Sequence, residues 1–595
     1  MTQRVSLSIS PCRNACPIKR PIQRHNVLLH YLAQGIKGNL VDEKAFLTVF
    51  DEILHINPLF GVCGYVCGLC EKYCNRKQVD SHVHVRFIER FVFDWYRDKV
   101  ITGALPAYRP IKPAARIEKK IAIIGGGPAG ISAAFFLAKE GYGVSLFEAR
   151  SRLGGALRFI PSFRLPDEIL NFAIDQVISP LGIEIHLNFR PSISSLKKEG
   201  YDAILIATGT HLPRPVPPFA QGFEEVENAI DILAAISEGR LDEKKYAGKQ
   251  VVVIGGSGVA IDAARSLRRY GANAALACLE SSDRTSKDGI LANEEDEKGG
   301  LEEGVAFYYS RGLQNIERQN GKLLLTFSRC TSVYDLKDGQ KIFNPQFDPN
   351  DLITLEADYV IFGIGQLPDR DYLQELYTDD GRIDVNPHTF QVSGQNIFMA
   401  GDVFRIGYAS QAINGGKEAA ESIKKYLKGK NIQEENKQKY YISLKPLPYT
   451  KENIEPKPDQ KPECLPVEER LHSFALEQAG FTLDQLIAET GRCLHCGGCE
   501  NCKGCVTLGF RDELCKMYII EENCDGCGFC IDVCAVGAIT LKEYNSDGLV
   551  KKIAEVDTVR CRGCGICQAT CPKNGCAVTG YELDRLREQV RQALI

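Results

Sequence analysis

Cys524, Cys527, Cys530 and Cys534 stand in the spacing C-x2-C-x2-C-x3-C, and Cys561, Cys564, Cys567 and Cys571 repeat it, with Pro572 after the last. Thiolates at this spacing suit the tetrahedral iron of [4Fe–4S] clusters, the fourth cysteine of each run ligating the cluster of the other. Structural zinc draws its ligands from more widely separated pairs and rarely uses such a run. The implied chemistry is transfer of single electrons. Of the 24 cysteines in the chain, fifteen lie from Cys493 onward.

A second kind of chemistry needs glycines. Ile121 to Ile124 predicts a short strand, Gly125-Gly126-Gly127-Pro128-Ala129-Gly130 a tight turn, and Ile131 to Glu140 a helix. A further strand, Val144 to Phe147, ends in Glu148. This is the dinucleotide βαβ pattern: glycines admit the pyrophosphate to the backbone, the helix N-terminus faces its charge, and the acid accepts from ribose hydroxyls. The pattern recurs. Val251 to Ile254 leads into Gly255-Gly256-Ser257-Gly258-Val259-Ala260, a helix from Ile261 to Tyr270, and a strand from Ala274 to Leu279 that ends in Glu280. Ser257 replaces the middle glycine, which crowds a pyrophosphate unless Gly258 relieves it; a nucleotide-free unit is the alternative. Glu280 repels a 2′-phosphate, so NADH is expected over NADPH, with Arg284 close enough to temper the preference.

The elements that must position these groups fit a long chain. At 595 residues, 44% of them apolar, it has length for about four domains. A formal charge of −4 offers no basic field for nucleic acid. Cysteine usage of this kind favours metal ligation in a reducing cytoplasm over disulfides. Residues 1–41 lack Asp and Glu, as transit peptides do, but Cys12 and Cys16 fall in a ligand motif and no apolar signal core precedes them. No run approaches the ~18 apolar residues of a membrane span. The expected class is multidomain α/β with a cytoplasmic location.

The segments 115–165, 203–210, 250–305 and 358–423 resemble the small subunit of glutamate synthase and its relatives, flavoproteins with two dinucleotide domains. Gly154-Gly155-Ala156-Leu157-Arg158-Phe159-Ile160-Pro161-Ser162-Phe163-Arg164-Leu165-Pro166 is similar to that branch's GG…IPxFRLP segment. Ala207-Thr208-Gly209 and Gly363-Ile364-Gly365-Gln366-Leu367-Pro368-Asp369 resemble its two crossovers, and Ala400-Gly401-Asp402-Val403 with Gln411-Ala412 its flavin ribityl and ring site. The resemblance implies FAD held by Gly125, Gly127, Pro128, Ala129, Gly130, Glu148, Gly155, Arg164, Thr208, Gly209, Gly401, Asp402, Gln411 and Ala412. It implies a nicotinamide site at Gly255, Gly256, Ser257, Gly258, Val259 and Glu280, flanked by Gly363 and Gly365. Many members of the wider superfamily reduce disulfides through a CxxC beside the flavin. Between residues 120 and 430 this chain has only Cys278 and Cys330, so that activity is not expected.

Towards the N-terminus, Pro11-Cys12-x3-Cys16-Pro17, Asn57-Pro58 and the run from Cys63 to Arg76 resemble the helical two-cluster domain of glutamate synthase small subunits and dihydropyrimidine dehydrogenase. The family's upstream Arg-Cys-Leu-x-Cys does not precede Cys12; Arg492-Cys493-Leu494-His495-Cys496 carries it instead. The resemblance therefore implies that Cys493 and Cys496 join Cys12 and Cys74 at one cluster. The second takes Cys16, Cys67 and Cys70, with either Glu89 or Cys63 as its fourth ligand. Cys499, Cys502, Cys505 and Cys515 suffice for a further cluster; the alternative is that they share one cluster with Cys493 and Cys496, leaving two thiols spare. The C-terminal runs resemble a bacterial two-cluster ferredoxin, which brings the total to about five clusters.

The implied domains are a helical iron–sulfur domain (1–115), an FAD domain (116–215 and 357–430) with the NAD(P)H domain inserted (216–356), a Pro-rich linker (431–470), a cysteine-rich segment (471–516) and a ferredoxin domain (517–595). Six prolines between 446 and 466 either stretch along the body, spanning ~65 Å as polyproline II, or form a flexible tether. The expected activity is FAD-dependent electron transfer between NADH and ferredoxin or a catalytic partner subunit. The alternatives are a glutamate synthase small subunit, and an iron–sulfur scaffold whose nicotinamide site is inactive.

Overall fold

The computed structural model describes residues 10–106, 116–337, 340–430, 432, 455–494, 496, 517–534, 537–546, 549–557, 561 and 563–578. The first of these ranges is helical. Helix Phe46–Ile56 buries Phe46, Val49, Phe50, Ile53 and Leu54, the i, i+3, i+4, i+7, i+8 stripe of an amphipathic helix. It packs with Phe60–Val66 and Val85–Ile101 around an aromatic core in which Phe50 stacks on Tyr96 with centroids 3.8 Å apart. Gly64 lets two of these helices touch, since a Cβ there would stand 2.9 Å from the backbone of Arg90.

Two parallel sheets follow. In the first the strand order is Ile397–Met399, Ala203–Ile206, Ile117–Ile124, Tyr142–Phe147, Glu184–His186. Four of its strands precede residue 207 and one comes nearly 200 residues later, so the chain leaves the sheet and returns. The intervening residues build the second sheet, ordered Val226–Asn228, Tyr359–Phe362, Gln250–Ile254, Asn273–Ala277, Ala306–Tyr308. Near-continuous apolar runs such as Ile121–Ile124 and Val251–Val253 are buried on both faces, as crossover helices require. Leu212–Pro213 pairs with Gln366–Leu367 where the chain passes between the sheets. Arg311–Gln319, Lys322–Lys337 and Gln340–Ala357 form an antiparallel sheet on the second unit.

Residues 455–494 run as a strap across these units rather than as a free tether. Lys457 N donates to Asp80 at 2.9 Å, Glu477 N to the Phe163 carbonyl at 3.0 Å, and Arg90 Nη1 to the Gln478 carbonyl at 2.9 Å. Glu477 enters a buried set of charges, with Arg269 Nη2 at 3.1 Å and Arg265 closer still, while Arg265 and Arg269 share Glu303 and clasp the Phe163 ring. The strap ends in helix Leu483–Thr490, opened by a reciprocal Thr482/Gln485 cap and packed on helix Ile22–Lys37. The last described unit pairs Met517–Ile519 with Cys576–Val578, and Ile539–Ser546 with Leu549–Val556, around two short helices, Phe529–Asp532 and Ile566–Thr570. Among the described residues no single helix is long and apolar enough to cross a membrane.

Candidate functional site

The first glycine turn closes onto its own sheet. Gly125 has φ +108°, and a Cβ there would stand 2.3 Å from the Ala207 carbonyl oxygen; at Gly130 it would stand 1.9 Å from the Gly125 oxygen. Only glycine permits this approach. Helix Pro128–Ala138 starts at the turn with its N-terminus facing a cleft. Gly125, Gly127, Pro128, Ala129, Glu148, Gly155, Thr208, Gly209, Gly401, Asp402 and Ala412 all line it. The two Glu148 carboxylate oxygens accept from Gly126 N and Arg150 N at 2.8 Å each, which fixes the acid at the strand end. Burial pushes the Asp402 carboxyl up to about 6. Glycine turn, helix N-terminus and fixed acid are what a dinucleotide of flavin size requires.

Two residues expected at the flavin, Arg164 and Gln411, do not line this cleft. The Arg164 guanidinium is turned to the second sheet's helices, meeting Asp262 at 2.7 and 2.9 Å and Asp296 at 3.0 Å. The Gln411 side chain accepts from Tyr408 N at 2.8 Å and caps helix Ala409–Leu427, leaving its neighbour Ala412 in the cleft. Both positions follow from pairing: a buried guanidinium takes the nearest carboxylates, and an N3 glutamine satisfies an unpaired helix-start amide.

The second turn repeats the first. Gly255 has φ +137° and its Cβ would stand 2.5 Å from the Gly363 oxygen. A Cβ on Gly256 would meet the Glu280 carboxylate at 2.5 Å, so Glu280 occupies at this turn the place of Glu148 at the other. Ser257 does not project outward. Its hydroxyl accepts from Ala260 N and donates to the Gly363 carbonyl, both at 3.3 Å, as the N-cap of helix Gly258–Arg269. Gly258 opens that helix with no heavy atom near its missing Cβ, and Val259 is half-buried against the second core. Gly365, φ +103°, follows at the crossover beside Arg214. Arg284 is committed to the Ala292 carbonyl at 2.7 Å and to Glu297 at 3.0 Å.

Cys12, Cys74, Cys493 and Cys496 line one small cavity together with Asn75 and Arg76. Asn75 Nδ2 donates to Cys496 Sγ at 3.5 Å, and burial pushes the Cys496 thiol up to about 12. Burial likewise raises Cys12 and Cys74. Half-buried thiols that face one another hold anionic charge only against a cation, as metal ligation supplies. Cys16, Cys67, Cys70, Cys63 and Glu89 form the neighbouring group. Glu89 is 6% exposed, sits 3.3 Å from Arg20 and has one carboxylate oxygen, Oε1, without a hydrogen-bond partner. Cys63 accepts from Asn57 Nδ2 at 3.3 Å and donates its thiol to the Cys67 sulfur. An orphaned buried oxygen beside three thiols fits a ligand, and so does the Cys63 sulfur. Cys67 Sγ lies 3.5 Å from Ser410 Oγ, at the start of the helix whose Ala412 lines the flavin cleft. Sequence reasoning passed over Ser410 and Asn75; their adjacency to Gln411 and Cys74 was the available signal.

In the C-terminal unit, Cys524, Cys527 and Cys530 share a cavity with Cys571 of the other run. Cys534 packs against the small core that holds Cys561 and Cys567, and Cys564 is exposed. Backbone amides point at sulfur: Gly575 N to Cys571 at 3.1 Å, Ala538 N to Cys534 at 3.3 Å, Ala554 N to Cys524 at 3.4 Å. Such donors stabilise thiolate charge. Cys499, Cys502, Cys505 and Cys515 lie outside the described residues.

Residues 119–419 match the pyridine nucleotide-disulphide oxidoreductase family. The chain belongs to that family. It is an oxidoreductase of the flavin and pyridine-nucleotide type that also carries 4Fe–4S domains: residues 523–575 match a 4Fe-4S dicluster domain, and residues 8–101 match dihydropyrimidine dehydrogenase domain II, 4Fe-4S cluster. It departs from the disulphide reductases in having no CxxC within 119–419. The NADP(+)-dependent formate dehydrogenase subunit beta of Moorella thermoacetica is 29% identical over 520 residues, covering 82% of this chain and 70% of the relative. Putative oxidoreductase YgfK of Escherichia coli K12 is 28% identical over 550 residues, covering 88% of this chain and 48% of the relative, so the chain spans about half of that protein. The NAD-dependent dihydropyrimidine dehydrogenase subunit PreT of the same strain is 28% identical over 435 residues, covering 71% of this chain and 92% of the relative. All three match this chain beyond the residues of the oxidoreductase family itself.

Proposed function

We propose that this oxidoreductase moves electrons between NADH and a series of [4Fe–4S] clusters by way of FAD. The observation that carries the reading is the 3.5 Å contact between Cys67 and Ser410, which sets a group of buried thiols against the helix that lines the flavin cleft. When bound, FAD supplies the exchange between two-electron hydride chemistry and one-electron cluster chemistry. The residues of this chain do the holding. Gly125, Gly127, Gly130 and the start of helix Pro128–Ala138 cradle the pyrophosphate of FAD, and Glu148 its ribose. Gly255, Gly256 and the helix capped by Ser257 do so for the nicotinamide nucleotide.

NADH is favoured over NADPH because Glu280 stands against the turn and Arg284 is already paired to Glu297. The capping role of Ser257 turns its hydroxyl away from the pyrophosphate's approach, which weighs against the inactive-site alternative. Four thiols (Cys12, Cys74, Cys493, Cys496) take one cluster; Cys16, Cys67 and Cys70 with Glu89 take the next. Cys499, Cys502, Cys505 and Cys515 take a third, and the two C-terminal runs hold two more. The acceptor is ferredoxin or a catalytic partner in a hetero-oligomeric, cytoplasmic complex; the naming of formate dehydrogenase beta and PreT as subunits supports this.

Anaerobic mixing with NADH tests the reading. Flavin absorbance near 450 nm should bleach and reduced-cluster EPR signals should follow, in protein holding one FAD and about twenty iron atoms. Absence of bleaching favours the scaffold. Twelve iron atoms or fewer would mean that two of the cluster assignments are wrong.

A further inference from the structure

Glu71, His82 and His84 form a cluster of ligand-type side chains that contains no cysteine and that neither electron transfer nor nucleotide binding uses. One ligand atom from each lies within 4.8 Å of the others. Glu71 and His84 are buried, 7% and 8% exposed, and His82 is half-buried. Glu71 Oε1 accepts from Arg86 N at 2.7 Å, which fixes the carboxylate and turns Oε2 to His82 Nε2 at 3.7 Å. The two imidazole rings stand 4.6 Å apart. His84 Nε2 faces Asp459 at 3.4 Å, and its buried Nδ1 has no hydrogen-bond partner.

Two neutral imidazoles and one carboxylate are a donor set that zinc accepts. Tetrahedral bonds of about 2.0–2.1 Å place adjacent donors roughly 3.3 Å apart. The His82–Glu71 separation, 3.7 Å, is close to that, and a ligand atom of His84 stands within 4.8 Å of both. A ring nitrogen bound to metal commonly has its other nitrogen donating to a carboxylate, the relation His84 has with Asp459. The two nearby guanidinium groups are hydrogen-bonded elsewhere, Arg86 to Glu295 and Arg492 to Asp80 and Glu489. Asp459 belongs to the strap, whereas the three ligands belong to the N-terminal domain.

We propose that Glu71, His82 and His84 bind one zinc-class divalent ion, with Asp459 as the outer carboxylate, and that this ion fastens the strap to the N-terminal domain ahead of Cys493. The site is independent of how the thiols divide among clusters.

The test uses the full-length, iron- and FAD-loaded protein incubated with one equivalent of Zn2+ and desalted. About one zinc per chain should be retained, with a nitrogen and oxygen shell at about 2.0–2.1 Å in X-ray absorption and no sulfur at about 2.3 Å. H82N/H84N should lose zinc affinity at least tenfold while keeping its iron and flavin absorbance, and Asp459→Asn should weaken it by about tenfold. If the double variant does not accumulate, Glu71→Gln should show the same loss of zinc. A sulfur shell, equal zinc in wild type and variant, or no retained zinc would overturn the proposal.

Discussion

Arg492 Nη2 lies 3.0 Å from Asp80 Oδ1, joining residues 412 positions apart in sequence. Arg492 is 1% exposed and also reaches Glu489 at 2.7 Å and the Ser81 and His82 carbonyls. The same docking includes a surface pair, Lys37–Asp484 at 2.7 Å, with both side chains more than half exposed. The two pairs differ in worth. An exposed pair contributes about 0–1 kcal/mol, whereas removing one partner from a buried set costs about 3–5 kcal/mol. Arg492 is therefore the joint that delivers Cys493 and Cys496 to the cavity of Cys12 and Cys74.

Arg492→Ala should release the strap at this joint and remove about four iron atoms per chain, one cluster. Arg492→Lys should fall short of wild type as well, because an ammonium cannot serve two carboxylates and two carbonyls in one plane. Iron per flavin and limited proteolysis near residue 455 measure both effects. Unchanged iron in the alanine variant would show that the joint does not govern that cluster.

Arg164→Ala should retain FAD yet slow its reduction by NADH, by about tenfold or more, since Arg164 clamps one dinucleotide unit to the other through Asp262 and Asp296. Burial, opposed by Arg164, sets the Asp262 carboxyl at about 6. Without the guanidinium, Asp262 and Asp296 face each other as like charges, and protonation relieves them. The defect should accordingly be smaller at pH 6 than at pH 8 in stopped-flow measurements of flavin bleaching. Loss of FAD from the variant would return Arg164 to the flavin site.

Wild-type protein should reduce its flavin faster with NADH than with NADPH, and Glu280→Ala or Glu280→Arg should narrow or invert the preference. The comparison is kcat/KM with each nucleotide. Equal values in the wild type would remove Glu280 from nucleotide choice.

Ser410→Ala should lower the midpoint potential of the cluster bound by Cys67, by on the order of 50 mV. A hydroxyl donated to a cluster sulfur stabilises the more negative reduced form, and about 1 kcal/mol corresponds to that shift for one electron. An EPR-monitored redox titration reads it directly. A potential unchanged within error would mean that Ser410 serves only the helix start.

Both dinucleotide turns were legible as local patterns, because strand, glycine turn, helix and acid are consecutive and each follows from near-neighbour sterics. The structure puts the strands at Ile117–Ile124 and Gln250–Ile254, within a few residues of the apolar runs that predict them. Side-chain destinations were less legible. The IPxFRLP segment marks Arg164 but not its partners, which lie about 100 and 130 residues away. Ser257 reads as a defect in the glycine pattern until its hydroxyl is seen capping the helix.

Sequence alone determined the chemistry: thiolate runs with iron–sulfur spacing, two glycine turns that admit pyrophosphate, and acids at both strand ends. These depend on residue type and on separations of a few residues, where the covalent chain holds groups together at little entropic cost. The tertiary structure decided which distant groups meet. Cys493 and Cys496 come to Cys12 and Cys74, Cys67 to Ser410, and Cys571 to Cys524, only because buried ion pairs and apolar faces offset the entropy of closing loops of tens to hundreds of residues.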